Sequence, residues 1–407
     1  MMGNEASSGG GKERRAGMGF YTKLAFLVWL VVSAILAFRL RHLPHRVTTF
    51  STYLTAGFAW RDGQPIYTNS RGMGFVYSPL IAAYFAAYSF LPMWPGQILW
   101  LLTNVVLLVG GTYAVMRESV FFIRSDRGRA LVLLLLLPLT LASLDVAQAN
   151  AALIGLLLVA IALAIRGRWT LCVIAVCIAA YLKIYPLALG LLLCLYRPRK
   201  VPWRLVLALL AFGILSLLLQ NPHYVMTQYH AWIATRTADD RRVDSMTHAP
   251  LDLWYLLVRL GHLPISERAY VAFQVLSGGA IGVFCLVSAR WPPERRLAGI
   301  FLLCSCWMTL VGPATESYTY AILAPAVSLG MVAAFCGYAP PAARGLAGVT
   351  MALLVAAQLK SSFFSVWRSA LFNGLRPVAA LVFLAFVILW LRSDAMWNAD
   401  KQTDTAV

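Results

Sequence analysis

Long apolar runs joined by short polar connections dominate the chain. Thirteen stand out, at residues 21–38, 77–91, 96–116, 130–144, 149–165, 170–182, 185–196, 204–219, 269–289, 297–312, 318–336, 345–358 and 375–391. Runs such as 24–38 and 130–144 approach the roughly 17–25 residues a helix needs to cross the hydrocarbon layer. None alternates polar and apolar residues with a period of two, as a membrane barrel strand would. Backbone N–H and C=O groups in lipid must be satisfied within their own segment, so the runs read as helices. The pattern predicts an all-α polytopic membrane protein.

The basic residues orient it. Arg197, Arg199 and Lys200, then Arg290, Arg295 and Arg296, then Arg344, fall on one side when the segments alternate, and the positive-inside rule makes that side cytoplasmic. The connections 145–150, 183–186, 220–268 and 312–318 then face outward. A basic N-terminus and Arg392, both inside, require an even number of crossings. About 12 are expected, with 77–91 as the segment that does not cross. The chain divides into a polar tail over 1–19, a membrane domain over 20–392 and a second tail over 393–407. Residues 1–19 are rich in Gly, Ser and charge, and no small-residue cleavage pattern follows the first apolar run, which argues against a signal peptide.

Composition agrees: 60% of residues are hydrophobic and 12% charged, about half the charge of a soluble chain. Lys plus Arg number 34 against 16 Asp plus Glu, a formal charge of +18. These basic residues sit in short connections between apolar runs, which points to anionic membrane lipid and not to nucleic acid. The seven cysteines lie in or beside apolar runs with no C-x-x-C spacing and read as small packing residues.

Two outward loops are chemically odd. Residues 39–76 carry Arg39, Arg41, Arg46, Arg61 and Arg71, and residues 220–268 carry Arg236, Arg241, Arg242 and Arg259 among His230, His248, Asp239, Asp240, Asp244 and Asp252. Arginine binds phosphate through parallel N–H···O bonds, so a phosphate-bearing ligand would account for both; a solvated, ion-paired surface is the plainer alternative. The aromatic residues at this depth, including Tyr67, Tyr77, Trp60 and Trp254, suit interfacial anchoring or stacking on a sugar. Residues 250–260 read as an interfacial helix with Pro250 at its first position.

Polar groups inside or beside helices are few: Asp145 with Gln148 and Asn150, Lys183, Glu316, and Gln358 with Lys360. Such groups are costly in the membrane and face a cavity or a partner. Lys183, three residues before the helix-ending Pro186, suits a phosphate contact, with snorkelling as the alternative. Glu316, in a break between apolar runs, suits a base, with an arginine partner as the alternative. Phosphate-loop, nucleophile-elbow, zinc-protease and dinucleotide signatures are missing. The six histidines are loop-borne, and the three-residue spacing of His42 and His45 has no nearby carboxylate to complete a metal site.

Four stretches taken together resemble glycosyltransferase family 87, a group of membrane enzymes of the GT-C type. Tyr53 and Ala56, then Gly63 to Tyr67, then Tyr77 to Pro79 are similar to the family's Y-x-x-A, G-x-x-x-Y and Y-x-P series. Ala147 to Asn150 is similar to its G-Q-x-N, Lys183 to Pro186 to its K-x-x-P, and Gly312 to Tyr320 with Pro325 to its late outward loop. The likeness spans about residues 45 to 330. It implies transfer of a hexose, mannose first, from a polyprenyl-phosphate donor to a lipid or glycan acceptor outside the cytoplasmic membrane, with inversion and with neither nucleotide nor obligatory metal. A carboxylate would activate the acceptor while Lys and Arg groups receive the departing phosphate. On this reading Lys183, Arg46, Arg61, Tyr53, Tyr67, Tyr77, Gln148, Asn150, His230, Arg236, Arg241, His248 and Asp252 bind substrate.

One departure bears on the base. Where the family usually presents an Asp about four residues before the tyrosine matched by Tyr53, this chain has Thr49, with Thr48 beside it. Threonine cannot serve, so the candidates are ordered Glu316, Asp62, Asp145. The alternatives to an enzyme are a transporter or flippase for lipid-linked sugars and a non-catalytic relative.

Overall fold

The computed structural model describes residues 18–42, 48–68, 74–118, 120–121, 123–238, 249–312, 315–337, 339–363 and 370–397. Every regular element among them is helical: α1 (Phe20–His42), α2 (Thr49–Arg61), α3 (Pro79–Ala86), α4 (Met93–Arg117), α5 (Asp126–Asp145), α6 (Asn150–Ile165), α7 (Trp169–Leu182), α8 (Leu187–Tyr196), α9 (Pro202–Leu219), α10 (Pro222–Ala238), α11 (Glu267–Val287), α12 (Pro293–Leu310), α13 (Ala324–Cys336), α14 (Pro341–Phe363), α15 (Ala370–Asn373), α16 (Leu375–Arg392) and α17 (Asp394–Trp397).

Contacts between helix ends set the directions. The carboxylate of Asp126 accepts from Tyr21 N, Thr22 N and Thr22 Oγ1, so α1 and α5 start together, and Arg39 and Asp145 approach to 3.7 Å at their far ends. α4 starts at that far end, where Gln97 donates to Thr48 Oγ1 and Trp100 Nε1 to the Ala147 carbonyl. It returns to pair Glu118 with Arg166 beyond α6. Further along, Tyr270 Oη meets the Leu310 carbonyl at one end of the α11–α12 pair and Arg296 binds the Cys285 carbonyl at the other. Among the described residues, α1 and α5 therefore run one way along the bundle and α4 and α6 the other, and α11 and α12 run antiparallel to each other. The segment expected not to cross holds the short α3 with its following 3-10 turn, folded back on α2. Among the described residues, six helices are by themselves long and apolar enough to span a bilayer. Leu27, Leu30 and Ile35 on α1, Val206, Leu210 and Leu218 on α9, and Val275 and Leu276 on α11 are exposed, which suits lipid-facing surfaces.

Glycines set the closest helix approach. A Cβ on Gly155 of α6 would lie 2.3 Å from the Leu107 carbonyl group of α4, and one on Gly111 would lie 2.4 Å from the Gly155 oxygen. Small residues at such a crossing let two backbones pack without intervening side chains.

The two arginine-rich loops differ from expectation. Residues 49–61 and 222–238 form helices. The cue for the second was Asn221 before Pro222: Asn221 Oδ1 accepts from His223 N and Tyr224 N, a cap on the first turn. α10 holds the preceding loop, with Gln228 Oε1 accepting from Ile66 N and Trp232 Nε1 donating to the Val76 carbonyl. Within the helix expected over 250–260, residues 253–254 are α-helical and continue into a π-helix, Tyr255–Leu260. Its start is buried, not interfacial: Leu251 N donates to the Thr315 carbonyl and Tyr320 Oη to the Leu251 carbonyl. Asp252 accepts from Tyr255 N at its start, and Pro250, expected at the first helical position, lies ahead of the helix. Residues 1–17 and 398–407 of the two tails lie outside the described residues.

Candidate active site

Three chain breaks at one end of the bundle build a polar cluster. At the first, α5 stops at Asp145 and the chain turns through Val146 to Ala149 before α6 begins at Asn150. Ala147 adopts a left-handed φ of 57°, a conformation glycine takes without a Cβ penalty. That explains why the similar motif carries glycine there. The turn is pinned by Trp100 on the Ala147 carbonyl and by Thr49 N on the Val146 carbonyl. At the second break, α7 ends at Lys183, whose extended backbone (φ −150°, ψ 143°) leaves the helical region. At the third, Glu316 caps the 3-10 turn Ser317–Ile322: its side chain accepts from the Thr319 backbone while Thr319 Oγ1 accepts from Glu316 N.

Side chains from the three breaks join. Lys183 Nζ donates to Asn150 Oδ1 at 2.8 Å, and Asn150 Nδ2 donates to Gln148 Oε1 at 2.8 Å and to the Tyr318 carbonyl at 3.0 Å. Gln148 Nε2 donates to Glu316 Oε2 at 3.1 Å. Asn150 is 0% exposed, so each of its bonds is made in a medium where an unmet polar group is expensive. Two amides therefore connect an ammonium to a carboxylate and fix the orientation of both.

Tyrosines line the adjoining side. Tyr53 and Tyr77 share a hydrogen bond of 2.8 Å, Ala149 N donates to Tyr53 Oη, and Tyr67 Oη donates to the Tyr77 carbonyl. Burial pushes the Tyr53 phenol well above its ordinary range; Tyr77 and the charge of Glu316 push the same way. α2 and α3 carry these residues at close quarters, since a Cβ on Gly57 would lie 2.5 Å from the Phe85 carbonyl group.

Glu316, Lys183, Gln148, Asn150, Tyr53, Tyr67 and Tyr77 are thus assembled as expected candidates. Others stand apart. Asp62 is an exposed residue bound through both oxygens by its neighbour Arg61, at 2.8 and 3.2 Å, and that hydrogen bonding holds its carboxyl below the usual range. Arg61 also reaches Ser89 Oγ. Asp145, although next to the turn, faces Arg39. Asp252, 2% exposed, sits under the Thr315 segment. On α10, His230 is exposed and Arg236 half-buried. Arg46, Arg241 and His248 lie outside the described residues, as do Arg71 and Asp239 to Asp244. Among the described residues no three His, Cys, Asp or Glu side chains gather as a metal site would need.

Two side chains escaped the sequence reading. Tyr185 stands between Lys183 and Pro186, and Lys183 Nζ lies 5.8 Å from its ring centroid. Arg376, at the head of an apolar run, is 5% exposed and donates to the Ala357 carbonyl. Position within the K-x-x-P stretch was the signal for the first; a lone charge opening a hydrophobic run was the signal for the second.

A family model for glycosyltransferase family 87 matches residues 75–313. The chain belongs to this family. It is a membrane glycosyltransferase, and the matched span contains Tyr77, Gln148, Asn150 and Lys183 but ends just before Glu316. Among curated proteins, none matches the chain.

Proposed function

We propose that this glycosyltransferase moves a hexose, mannose first, from a polyprenyl-phosphate donor to a hydroxyl of a lipid or glycan, in one inverting displacement. The observation carrying the reading is the hydrogen-bonded run from Lys183 through Asn150 and Gln148 to Glu316. Glu316 takes the proton of the acceptor hydroxyl, whose oxygen attacks the anomeric carbon. The bond from that carbon to the phosphate oxygen breaks, and its electron pair leaves with the phosphate. Lys183 neutralises the charge that develops there, held in position before substrate arrives. The site end faces outward across the cytoplasmic membrane. Support for that comes from Arg127, Arg166, Arg168, Arg197, Arg199 and Lys200, which cluster at the opposite end or in its turns.

Transfer of radiolabelled mannose from synthetic polyprenyl-phosphate mannose to a membrane lipid extract tests this. Wild type should transfer, and Lys183→Ala and Glu316→Gln should each lose transfer by about 100-fold or more. Retention of activity by Glu316→Gln would remove it as base.

A second reading, a relative without catalysis, is favoured by Thr49. Its amide binds the Val146 carbonyl, so position 49 lies against the turn that presents Gln148, one helical turn before Tyr53. If wild type is inert and Thr49→Asp transfers sugar, this second reading replaces the first.

A further inference from the structure

One polar atom beside Lys183 is left without a partner. The Tyr185 hydroxyl oxygen is buried and makes no hydrogen bond among the described residues, whereas Tyr53, Tyr67 and Tyr77 are all bonded. A buried hydroxyl with no partner is destabilising, and native proteins keep such atoms where something else completes them. The backbone holds the residue in place. Leu187 N donates to the Ile184 carbonyl and Ala188 N to the Tyr185 carbonyl, so a tight turn ending at Pro186 sets the ring beside the ammonium of Lys183, 5.8 Å from Nζ to ring centroid.

We infer that the Tyr185 hydroxyl is a direct donor to a phosphate oxygen of the isoprenoid-linked substrate, acting with the Lys183 ammonium as a two-point phosphate grip. This rests on the function proposed above, which uses Lys183 alone for the phosphate. The hydroxyl is suited to the task because it stays protonated: burial pushes its proton loss well above the ordinary phenol range, and Tyr77 and Glu316 add to the effect. The Lys183 ammonium draws the phosphate in, and the adjacent O–H fixes which oxygen it meets. A phenol in place of a second cation also leaves the net charge of the pocket unchanged, so a phosphate dianion is not bound too tightly to depart after transfer.

The test measures affinity in lipid nanodiscs for three probes: geranylgeranyl phosphate, the neutral alcohol geranylgeraniol, and inorganic phosphate. Wild type and Tyr185→Phe are compared, with Tyr77→Phe as the structural control, and the thermal midpoint of each unliganded protein is recorded. Tyr185→Phe should weaken geranylgeranyl phosphate by about ten- to thirty-fold and leave geranylgeraniol unchanged. Its midpoint should equal or exceed that of wild type, because an unmet buried hydroxyl has been removed, while Tyr77→Phe falls. Inorganic phosphate weakened in parallel would show that the contact is to phosphate itself; if only the lipid form weakens, the tail is needed to seat it, and both outcomes support the inference. Affinity for geranylgeranyl phosphate within two-fold of wild type would overturn it, as would an equal loss for the alcohol or a midpoint that drops with Tyr77→Phe. Should wild type fail to bind geranylgeranyl phosphate at all, the polyprenyl-phosphate function falls with it; binding by wild type with no effect of Tyr185→Phe removes only the second grip.

Discussion

Asn150 is the residue on which the polar cluster turns, and replacing it with alanine measures how far the cluster acts as a unit. Three bonds are lost: one from the Lys183 ammonium at 2.8 Å, one to Gln148 at 2.8 Å and one to the Tyr318 carbonyl at 3.0 Å. A bond to a charged group contributes about 1.5–3 kcal/mol and each neutral bond about 1 kcal/mol. Asn150→Ala should therefore cost roughly 3–5 kcal/mol, measured as unfolding in mixed detergent micelles followed by circular dichroism. The attribution is checked by a double-mutant cycle with Lys183→Met, in which the coupling between the two positions should be about 1.5–3 kcal/mol. Asn150→Asp offers a further control. It keeps an oxygen toward Lys183 but turns the donor that faces Gln148 Oε1 and the Tyr318 carbonyl into a third acceptor, so it should recover the Lys183 coupling without recovering full stability. Additivity of Asn150→Ala and Lys183→Met within about 0.5 kcal/mol would refute the reasoning.

Gly110 and Gly111 of α4 should respond with opposite signs to alanine. Nothing lies within 4 Å of a Cβ on Gly110, so alanine there gains helix stability of about 0.5–1 kcal/mol, whereas on Gly111 it meets the Gly155 oxygen at 2.4 Å and should lower the thermal midpoint. At the left-handed Ala147, glycine should be neutral or stabilising, and valine should cost on the order of 2 kcal/mol in the same micelle unfolding assay. Hydrogen bonding from Arg61 holds the Asp62 carboxyl below its usual range in the folded state, so any stability from this pair is present above the ordinary carboxylate range and lost as pH falls through the folded value. Asp62→Asn should leave the acidic limb of a transfer-versus-pH profile in place, and loss of that limb would return Asp62 to consideration as the base.

The long apolar helices were legible because a membrane helix must satisfy its backbone internally, and hydropathy reports that demand directly. Basic residues at chain turns set the expectation of an even number of passes, and shortness singled out 77–91, which holds the short α3. α2 and α10 were not legible as helices. Their apolar residues, such as Phe50, Tyr53 and Trp60 on α2 and Val225 on α10, pack against neighbouring elements from within polar sequence, so no continuous run marks them. The site divides along the same line. Gln148, Asn150, Lys183 and Glu316 stood out because polar groups at the ends of apolar segments are costly and few, and the structure brings these four into one hydrogen-bonded run. Asp62 has the same formal chemistry, yet what separates it from Glu316 is a neighbour's side-chain direction: Arg61 turns back onto it in solvent, while Gln148 reaches Glu316 from another chain break. Tyrosines posed the harder problem, since Tyr53, Tyr67, Tyr77 and Tyr185 are alike as letters. Only the accounting of hydrogen bonds sets Tyr185 apart, because its hydroxyl is buried without a partner and the other three are satisfied from within the protein. A sequence can show where polar groups are costly, but which of them the fold leaves for a ligand depends on which partners the chain has already supplied.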